Sequence, residues 1–451
     1  MPFDDTIAAL ATPSGESALA LLRVSGELCH SIVTMALGHP APRPRRAVVA
    51  VYRDVRGEPV DDVVFVYYPD ARSYTGEAML EISSHGNPLI AGKILEDLFM
   101  RGCRSAEPGE FTRTAFMNGK LDLSQAEAVV DLIRARSDRA LEVARKQLQG
   151  SVGRRVNSLI DNLLEIISEI EAYIDFPDED LPAENVEGPV KALQRLSEDL
   201  VGLISTSHLS ALVHDGVRTV IVGAPNAGKS SLLNALIGED RVIVAEEPGT
   251  TRDFVEERVA VGPYMMRLID TAGLHAASTE VEEKGIAKTY EQISKADILL
   301  LVVDAAAPTP LFPDAAMAKL SSHLAIMVEN KIDLAHAVVC REFFPEVAHV
   351  RVSALTGEGV EKLRGVLLER LEADLAPVDA GEVILSARHA DALREAKDAL
   401  RAALDGLRAA APAELVASEL RAALDAFGRI TGKVDNEAML DRLFARFCIG
   451  K

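Results

Sequence analysis

The sequence predicts a multidomain chain: an α+β domain at the N-terminus, an α-helical domain, and an α/β domain inserted into the helical one. Three observations predict this. Residues 1 to about 118 mix short apolar strands with helices; from Asp122 the apolar spacing turns almost wholly helical; and Val217–Val222 is a β-branched apolar run that enters a Gly-rich loop, with helical patterning resuming far downstream. A switch of hydrophobic period from 2 to 3.6 marks a change of architecture, and strand, Gly-rich turn, helix is the opening unit of a parallel sheet.

In chain order, strands are expected at Ala18–Val24, Val63–Tyr68 and Ala78–Ser83, with a helix at Ile90–Met100. Helices follow at Leu123–Gln149, Val156–Tyr173 and Val190–Ser207, interrupted by the Pro-punctuated turn Ile174–Pro182. After the α/β segment, helices return at Arg388–Ala410, Ala413–Ile430 and Met439–Phe447. The expected domains are therefore 1–118, 119–214 with 377–451, and the inserted 215–376. Insertion at a surface turn is physically easy because the ends of the inserted domain lie close together.

The inserted segment carries the chemistry. Residues 223–230 read Gly-Ala-Pro-Asn-Ala-Gly-Lys-Ser, between the strand Val217–Val222 and a helix over Ser231–Ile237. In that context the turn's N–H groups and the positive end of the helix dipole face phosphates, Lys229 neutralises the outer ones, and Ser230 ligates Mg2+. Asp270-Thr271-Ala272-Gly273 closes the strand Met265–Ile269; Asp270 is placed to hold a Mg2+-bound water and the Gly273 N–H to meet a γ-phosphate. Asn330-Lys331-Ile332-Asp333 closes the strand Leu324–Val328. The Asp333 carboxylate can accept from the ring N–H and exocyclic amine of guanine, donors that adenine does not offer in that arrangement, so the pattern selects GTP. Lys331 would lie along the base, Asn330 would brace the loop, and the backbone of Ser353-Ala354-Leu355 would contact the guanine carbonyl. Thr251, in the segment Pro248-Gly249-Thr250-Thr251, would complete the Mg2+ shell. The expected GTP-binding set thus comprises Asn226, Ala227, Gly228, Lys229, Ser230, Ser231, Ala245, Glu246, Glu247, Pro248, Gly249, Thr250, Thr251 and the three later elements.

One position departs from the small regulatory GTPases. Where those carry a Gln that orients the attacking water, this chain has Leu274, followed by His275. Leucine cannot orient water. Two residues are candidates for the missing work: Asn226, whose side-chain oxygen suits a monovalent cation beside the phosphates, and Glu282, which suits the water. Asn226 is equally an ordinary turn former, and Glu282 equally a solvated helix residue.

Asn226, Gly249-Thr250-Thr251-Arg252 and Leu274 together resemble the potassium-activated GTPases that have a hydrophobic residue in place of the catalytic Gln. The ends of the chain narrow the likeness. Thr6–Pro13, Leu22–Gly26, Tyr74-Thr75-Gly76-Glu77, His85-Gly86, Pro108–Phe111, Lys120-Leu-Asp-Leu-Ser-Gln-Ala-Glu127 and the closing Cys448-Ile449-Gly450-Lys451 resemble the MnmE (TrmE) family from end to end. The resemblance implies a homodimeric, cytoplasmic GTPase. With the flavoprotein MnmG (GidA), in a heterotetramer or larger complex, such a GTPase adds a carboxymethylaminomethyl or aminomethyl group to C5 of the wobble uridine of certain tRNAs. The carbon comes from 5-formyl-tetrahydrofolate or a related folate.

The resemblance carries over a folate site at Arg23, Glu81, Lys120 and Lys451, a K+ site at Asn226, Ala245, Glu247 and Thr250, and Glu282 as the residue that orders the water, with Asn226 and Lys229 assisting. Ala245 stands where a threonine is usual, so only a backbone ligand survives there. Arginine and lysine suit a glutamate tail, and a carboxylate suits a pterin's donors. Glu77 lies close enough to Glu81 to compete for that role.

Composition bounds the rest. Formal charge is −21 over 451 residues, which argues against nucleic-acid binding by bulk charge. Arg134, Arg136, Arg139, Arg145, Lys146, Arg154 and Arg155 form one locally basic stretch, balanced by Asp138 and Glu142. With aromatics at 4% and no Trp, a base-stacking platform is not evident. Four scattered cysteines show neither metal spacing nor a disulfide framework. Cys448 lies in the closing motif beside the implied folate and reads chiefly as a small packed residue. No run approaches the roughly 18 apolar residues of a membrane span, and no signal peptide opens the chain. The competing assignment is a ribosome-assembly GTPase of the Era or Der type, which shares Pro-Gly-Thr-Thr-Arg-Asp; the Gly-x-x-Gly clamp of an ordinary KH domain is missing after residue 380.

Overall fold

A computed structural model describes residues 5–69, 71–175, 187–238, 255–270, 289–307, 325–334, 347–375, 383–432, 437–445 and 447–450. Its contacts divide the chain into two compact units, Met1–Val130 with Gln147–Leu193 and Asp398–Lys451, and Asp131–Lys146 with Gln194–Lys397.

The first unit is built on a six-stranded sheet: β1 (Ile7–Leu10), β2 (Leu19–Ser25), β3 (Ala47–Arg53), β4 (Pro59–Tyr68), β5 (Met79–His85) and β6 (Arg104–Ser105), in the order β3-β4-β5-β2-β1-β6. All pairs are antiparallel except β1 with β6. One face buries Leu22, Val24, Phe65, Leu80 and Ile82 against α1 (Cys29–Met35) and α2 (Pro88–Met100), which contribute Ile32, Ile94 and Leu98. Because strand side chains alternate, Arg23 and Glu81 fall on the opposite face. The α2 N-terminus is set by Asn87, whose side chain accepts from Leu89 N at 2.8 Å, and by Pro88, whose missing N–H costs nothing there.

β1, β3 and β6 were not foreseen in the sequence, nor were two strands of the second unit, Val255–Val261 and Ile298–Asp304. β3 alternates cleanly enough to be a strand, but its outward positions hold exposed valines, Val49 and Val51, which blur the polar half of the pattern. The single helix expected over Leu123–Gln149 is two: α4 (Leu123–Arg134) and α5 (Asp138–Leu148). Ser137 Oγ accepts from Ala140 N at 3.1 Å and so starts a new helix, a serine cap that the continuous apolar pattern hides. Gly150, at φ 80°, separates α5 from α6 (Ser151–Asp175).

Within the first unit, α3 (Glu110–Met117) and α4 lead into the helices, and α6 packs along a late helix, here numbered after those of the second unit as α12 (Ala413–Thr431). The last helix, α13 (Glu437–Phe444), inserts Leu440, Phe444 and the following Phe447 against Leu123 and Ala126. This docking leaves no room at Gly109: a Cβ there would lie 2.8 Å from the Phe444 carbonyl oxygen and 2.9 Å from Phe447 Cβ.

The second unit holds β7 (Val217–Gly223), β8 (Val255–Val261), β9 (Tyr264–Asp270), β10 (Ile298–Asp304), β11 (Ala325–Asn330) and β12 (Ala348–Arg351), in the order β12-β11-β10-β7-β9-β8. Every pair is parallel except β8 with β9. The inner strands read as continuous apolar runs because helices and loops cover both faces. α9 (Lys229–Ile237) and α10 (Val360–Leu375) pack on one of them. Asp304, Asn330 and Asp270 stand at the C-terminal ends of three strands, where open parallel sheets bind their ligands.

α7 (Glu187–Ser205), α8 (Ser207–His214) and α11 (Ala387–Arg408) complete the helices described. Ala140 and Val143 of α5 share a buried cluster with Val213 and Ile384, and Arg139 N donates to Pro263 O at 3.0 Å in the β8–β9 turn. The second unit therefore extends beyond residues 215–376. In the basic stretch, Glu142 takes both Arg139 (2.9 Å) and Lys146 (2.7 Å). Among the described residues no helix is long and apolar enough to cross a membrane.

Candidate functional site

The phosphate loop leaves β7 and turns into α9. Two residues in it adopt left-handed backbone: Asn226 at φ 63° and Gly228, the helix N-cap, at φ 91°. Asparagine tolerates that region better than most side chains and glycine has no penalty in it, which is why these types stand there. Lys229 is buried, its Nζ donating to the carbonyls of Gly223 (3.2 Å) and Ala224 (3.0 Å) within the loop. Burial pushes its pKa down, and the Asp270 carboxylate opposes that shift.

Ser230 Oγ donates to Asp270 Oδ2 at 2.7 Å, which brings the first and second motifs together at one point. The other Asp270 oxygen, Oδ1, is buried without a hydrogen-bond partner. A serine hydroxyl and a carboxylate with an unsatisfied oxygen are hard oxygen donors of the kind Mg2+ takes, so these residues fit the ion.

The guanine side is braced by one side chain. Asn330, almost fully buried, donates from Nδ2 to Ala227 O in the phosphate loop (3.0 Å). Its Oδ1 accepts from Lys331 N (2.8 Å) and Ala354 N (3.0 Å). One amide thus fastens the phosphate loop, the Asn330–Asp333 turn and the Ser353–Leu355 turn to each other. Ser353 Oγ donates to Asp333 Oδ1 at 2.6 Å, leaving Oδ2 of this exposed carboxylate to accept from another donor. Lys331, at φ 66°, donates to Asp304 Oδ2 at 2.6 Å, which holds its methylenes in place. Burial would raise the Asp304 pKa; the Lys331 and Ala306 N–H bonds outweigh it, and the net shift is downward. Asp304 was missed in the sequence, although it ends an apolar strand just as Asp270 and Asn330 do.

The structure brings together Asn226 to Ser231, Asp270, Asn330 to Asp333 and Ser353 to Leu355. Ala245, Glu246, Glu247, Pro248, Gly249, Thr250, Thr251, Thr271, Ala272, Gly273 and Glu282 lie outside the described residues.

A second cluster lies in the first unit. Arg23 and Glu81 are register partners on β2 and β5. Arg23 Nε and Nη2 meet Glu81 Oε1 at 3.0 and 2.9 Å, and the guanidinium lies 5.5 Å from the centroid of the Tyr74 ring. Tyr68 OH donates to Glu81 Oε2 at 3.4 Å, and the Tyr74 hydroxyl pairs with Thr112 at 2.8 Å. Arg23 Nη1 also donates to Gly450 O at 3.3 Å, so the closing motif reaches this strand from the far end of the chain. The tail fits closely: a Cβ on Gly450 would lie 2.7 Å from Leu10 O. Lys120 Nζ donates to Ala71 O at 2.8 Å beside Gly76. Glu77 accepts from Ser25 Oγ at 3.0 Å, and burial raises its pKa. Lys451 lies outside the described residues; Cys448 is exposed. Tyr68, Tyr74 and Thr112 were not foreseen as members of this cluster, because a strand, a loop and a helix far apart in sequence bring them to the Arg23–Glu81 pair.

Known proteins resemble the chain along its whole length. The family model for the GTP-binding protein TrmE N-terminus matches residues 6–120, and that for the MnmE helical domain matches 123–448. The tRNA modification GTPase MnmE of Opitutus terrae is 50% identical over the whole of both chains. Those of Akkermansia muciniphila and Methylococcus capsulatus are 41% and 39% identical, covering 99% or more of either chain in each pair. The G domain of the T. maritima FeoB iron transporter is 30% identical over 34% of this chain and 97% of its own, with a TM-score of 0.26. End-to-end likeness to one set of relatives replaces the Era or Der assignment. The chain belongs to the MnmE (TrmE) family of tRNA modification GTPases.

Proposed function

We propose that this chain is a potassium-activated GTPase that works with the flavoprotein MnmG on C5 of the wobble uridine of certain tRNAs, using a tetrahydrofolate one-carbon unit. The observation that carries the proposal is Arg23, held at once by Glu81, by the face of Tyr74 and by the carbonyl of Gly450. A guanidinium over an aromatic ring beside a carboxylate suits a folate: the cation for the glutamate tail, the carboxylate for pterin N–H donors, the ring for stacking. Lys120 and Lys451 add cations to the same reading.

In the GTPase, Asn226 supports a K+ site: its left-handed backbone presents an exposed side chain at the rim of the phosphate loop. Ala245, Glu247 and Thr250 complete the proposed K+ shell, Thr251 joins Ser230 at Mg2+, and Glu282 orders the water in place of the Gln that Leu274 replaces. GTP binding would pair two G domains of a homodimer, and the resulting order in the Gly249–Asp253 segment is the conformational signal. Domain bounds of 1–118, 119–214 with 377–451, and 215–376 belong to the same proposal.

Two measurements on purified protein test it. 5-Formyl-tetrahydrofolate should bind the wild-type chain and bind Arg23→Leu at least about tenfold more weakly, the cost of a charged hydrogen bond. GTP turnover should fall when KCl is replaced by NaCl. Equal folate binding by both proteins, or equal turnover in the two salts, would sink the corresponding half.

A further inference from the structure

β11 is buried along its whole length and is apolar except at its end, where Glu329 precedes Asn330. The Glu329 side chain is 1% exposed. Its Oε1 lies 3.2 Å from His349 Nδ1 and its Oε2 3.5 Å from Arg351 Nε, both on β12. A charge at a position that any aliphatic residue would fill must be matched by partners, or the strand would not tolerate it.

What this pair does follows from where it sits. Among the described residues β12 is a four-residue edge strand with a single neighbour, joined to β11 over four register pairs from Ile326↔Ala348 to Glu329↔Arg351. So short a ladder specifies register weakly. Immediately beyond it, the two strands give rise to the two halves of the guanine site. Val352 N donates to Glu329 O at 2.8 Å, Ala354 N to Asn330 Oδ1 at 3.0 Å, and Ser353 Oγ to Asp333 Oδ1 at 2.6 Å. A small slip of β12 would carry Ser353 away from Asp333 and turn the carboxylate off the base.

We propose that Glu329, through His349 and Arg351, is a positioning residue for guanine recognition: a charged clip that holds the edge strand so that Ser353 aims Asp333. The inference rests on Asp333 as the residue that reads the exocyclic amine, and the test separates the two ideas. Affinities for GDP and IDP, which lacks that amine, are measured for the wild type, Glu329→Gln, Glu329→Leu and the pair Glu329→Leu/His349→Leu. The wild type should prefer GDP by about tenfold or more, the worth of a hydrogen bond to a carboxylate. Glu329→Gln should keep most of that preference, since its amide can still span the strands. Glu329→Leu should bring the ratio to within about threefold of unity. The double variant removes the buried charge together with its buried partner His349, and leaves only Arg351, whose side chain is 45% exposed and can be solvated, so it should fold and yet lose the preference. If Glu329→Leu fails to fold, the double variant decides. Folded variants that keep the wild-type ratio, or that lose GDP and IDP affinity equally, would overturn the role of Glu329. No GDP preference in the wild type would instead overturn the role of Asp333.

Discussion

Asp333→Asn is expected to lower kcat/KM for GTP by about a thousandfold or more and to create activity on xanthosine triphosphate. The reason lies in one fixed hydrogen bond. Ser353 donates to Asp333 Oδ1 at 2.6 Å, and an Asn at this position can satisfy that donor only with its own oxygen. Its NH2 must then point at the base. Guanine presents an amine there, so donor would face donor, with neither satisfied. Xanthine presents a carbonyl at the same place and would accept. Steady-state rates with the two nucleotides check this. Retained GTP specificity in the variant would show that Asp333 does not read the base.

The second large effect is expected at Gly228. Its φ of 91° is strained for any side chain, at a cost of about 1–3 kcal/mol. A Cβ there would also collide with Asn330 Nδ2. The same Nδ2 donates to Ala227 O, the bond that ties the phosphate loop to the guanine turn. Gly228→Ala must therefore push Asn330 aside. That releases its contacts with Lys331 N and Ala354 N, each worth about 1 kcal/mol. Calorimetry should find GDP affinity reduced by about a hundredfold, with a lower Tm. The adjacent position offers a control: Ala227→Gly adds no Cβ and should cost far less. Wild-type affinity in Gly228→Ala would mean that the Asn330 bridge is dispensable.

How legible these features were in the sequence depends on what kind of physics fixed them. The phosphate loop was readable because its requirements act on backbone: Gly228 and Asn226 are where they are for their φ values, and Lys229 and Ser230 follow at fixed spacing. Asp270 and Asn330 were readable because each closes an apolar strand, and Asp333 because it follows Asn330 at fixed spacing. Arg23 and Glu81 could be named from the resemblance, but their pairing could not, since it depends on the β2–β5 register across 58 residues. The approach of Gly450 to Arg23 spans 427 residues and leaves no periodic trace. Glu329 was passed over entirely. It sits directly beside a strong motif, and a single charged residue in a strand draws no attention until the neighbouring strand supplies His349.

The break between α4 and α5 had a different cause. Apolar spacing carries straight across Ala135–Ser137, and only the Ser137 cap shows that the helix restarts. Local capping chemistry outweighed periodicity there, whereas the break at Gly150 falls where the helix expected from the sequence ends. β8 was missed because its alternation with Glu256, Glu257 and Arg258 reads equally well as a solvated turn; pairing with β9 makes it the antiparallel edge.

The central claim is that GTP hydrolysis at the Gly223–Ser230 loop serves chemistry on tRNA. Nucleoside analysis of tRNA from cells lacking this gene tests it most directly. The account predicts loss of the carboxymethylaminomethyl and aminomethyl groups from C5 of wobble uridine, restored by the wild-type gene and not by Asp333→Asn. Wobble uridines unaltered in the deleted strain would contradict it.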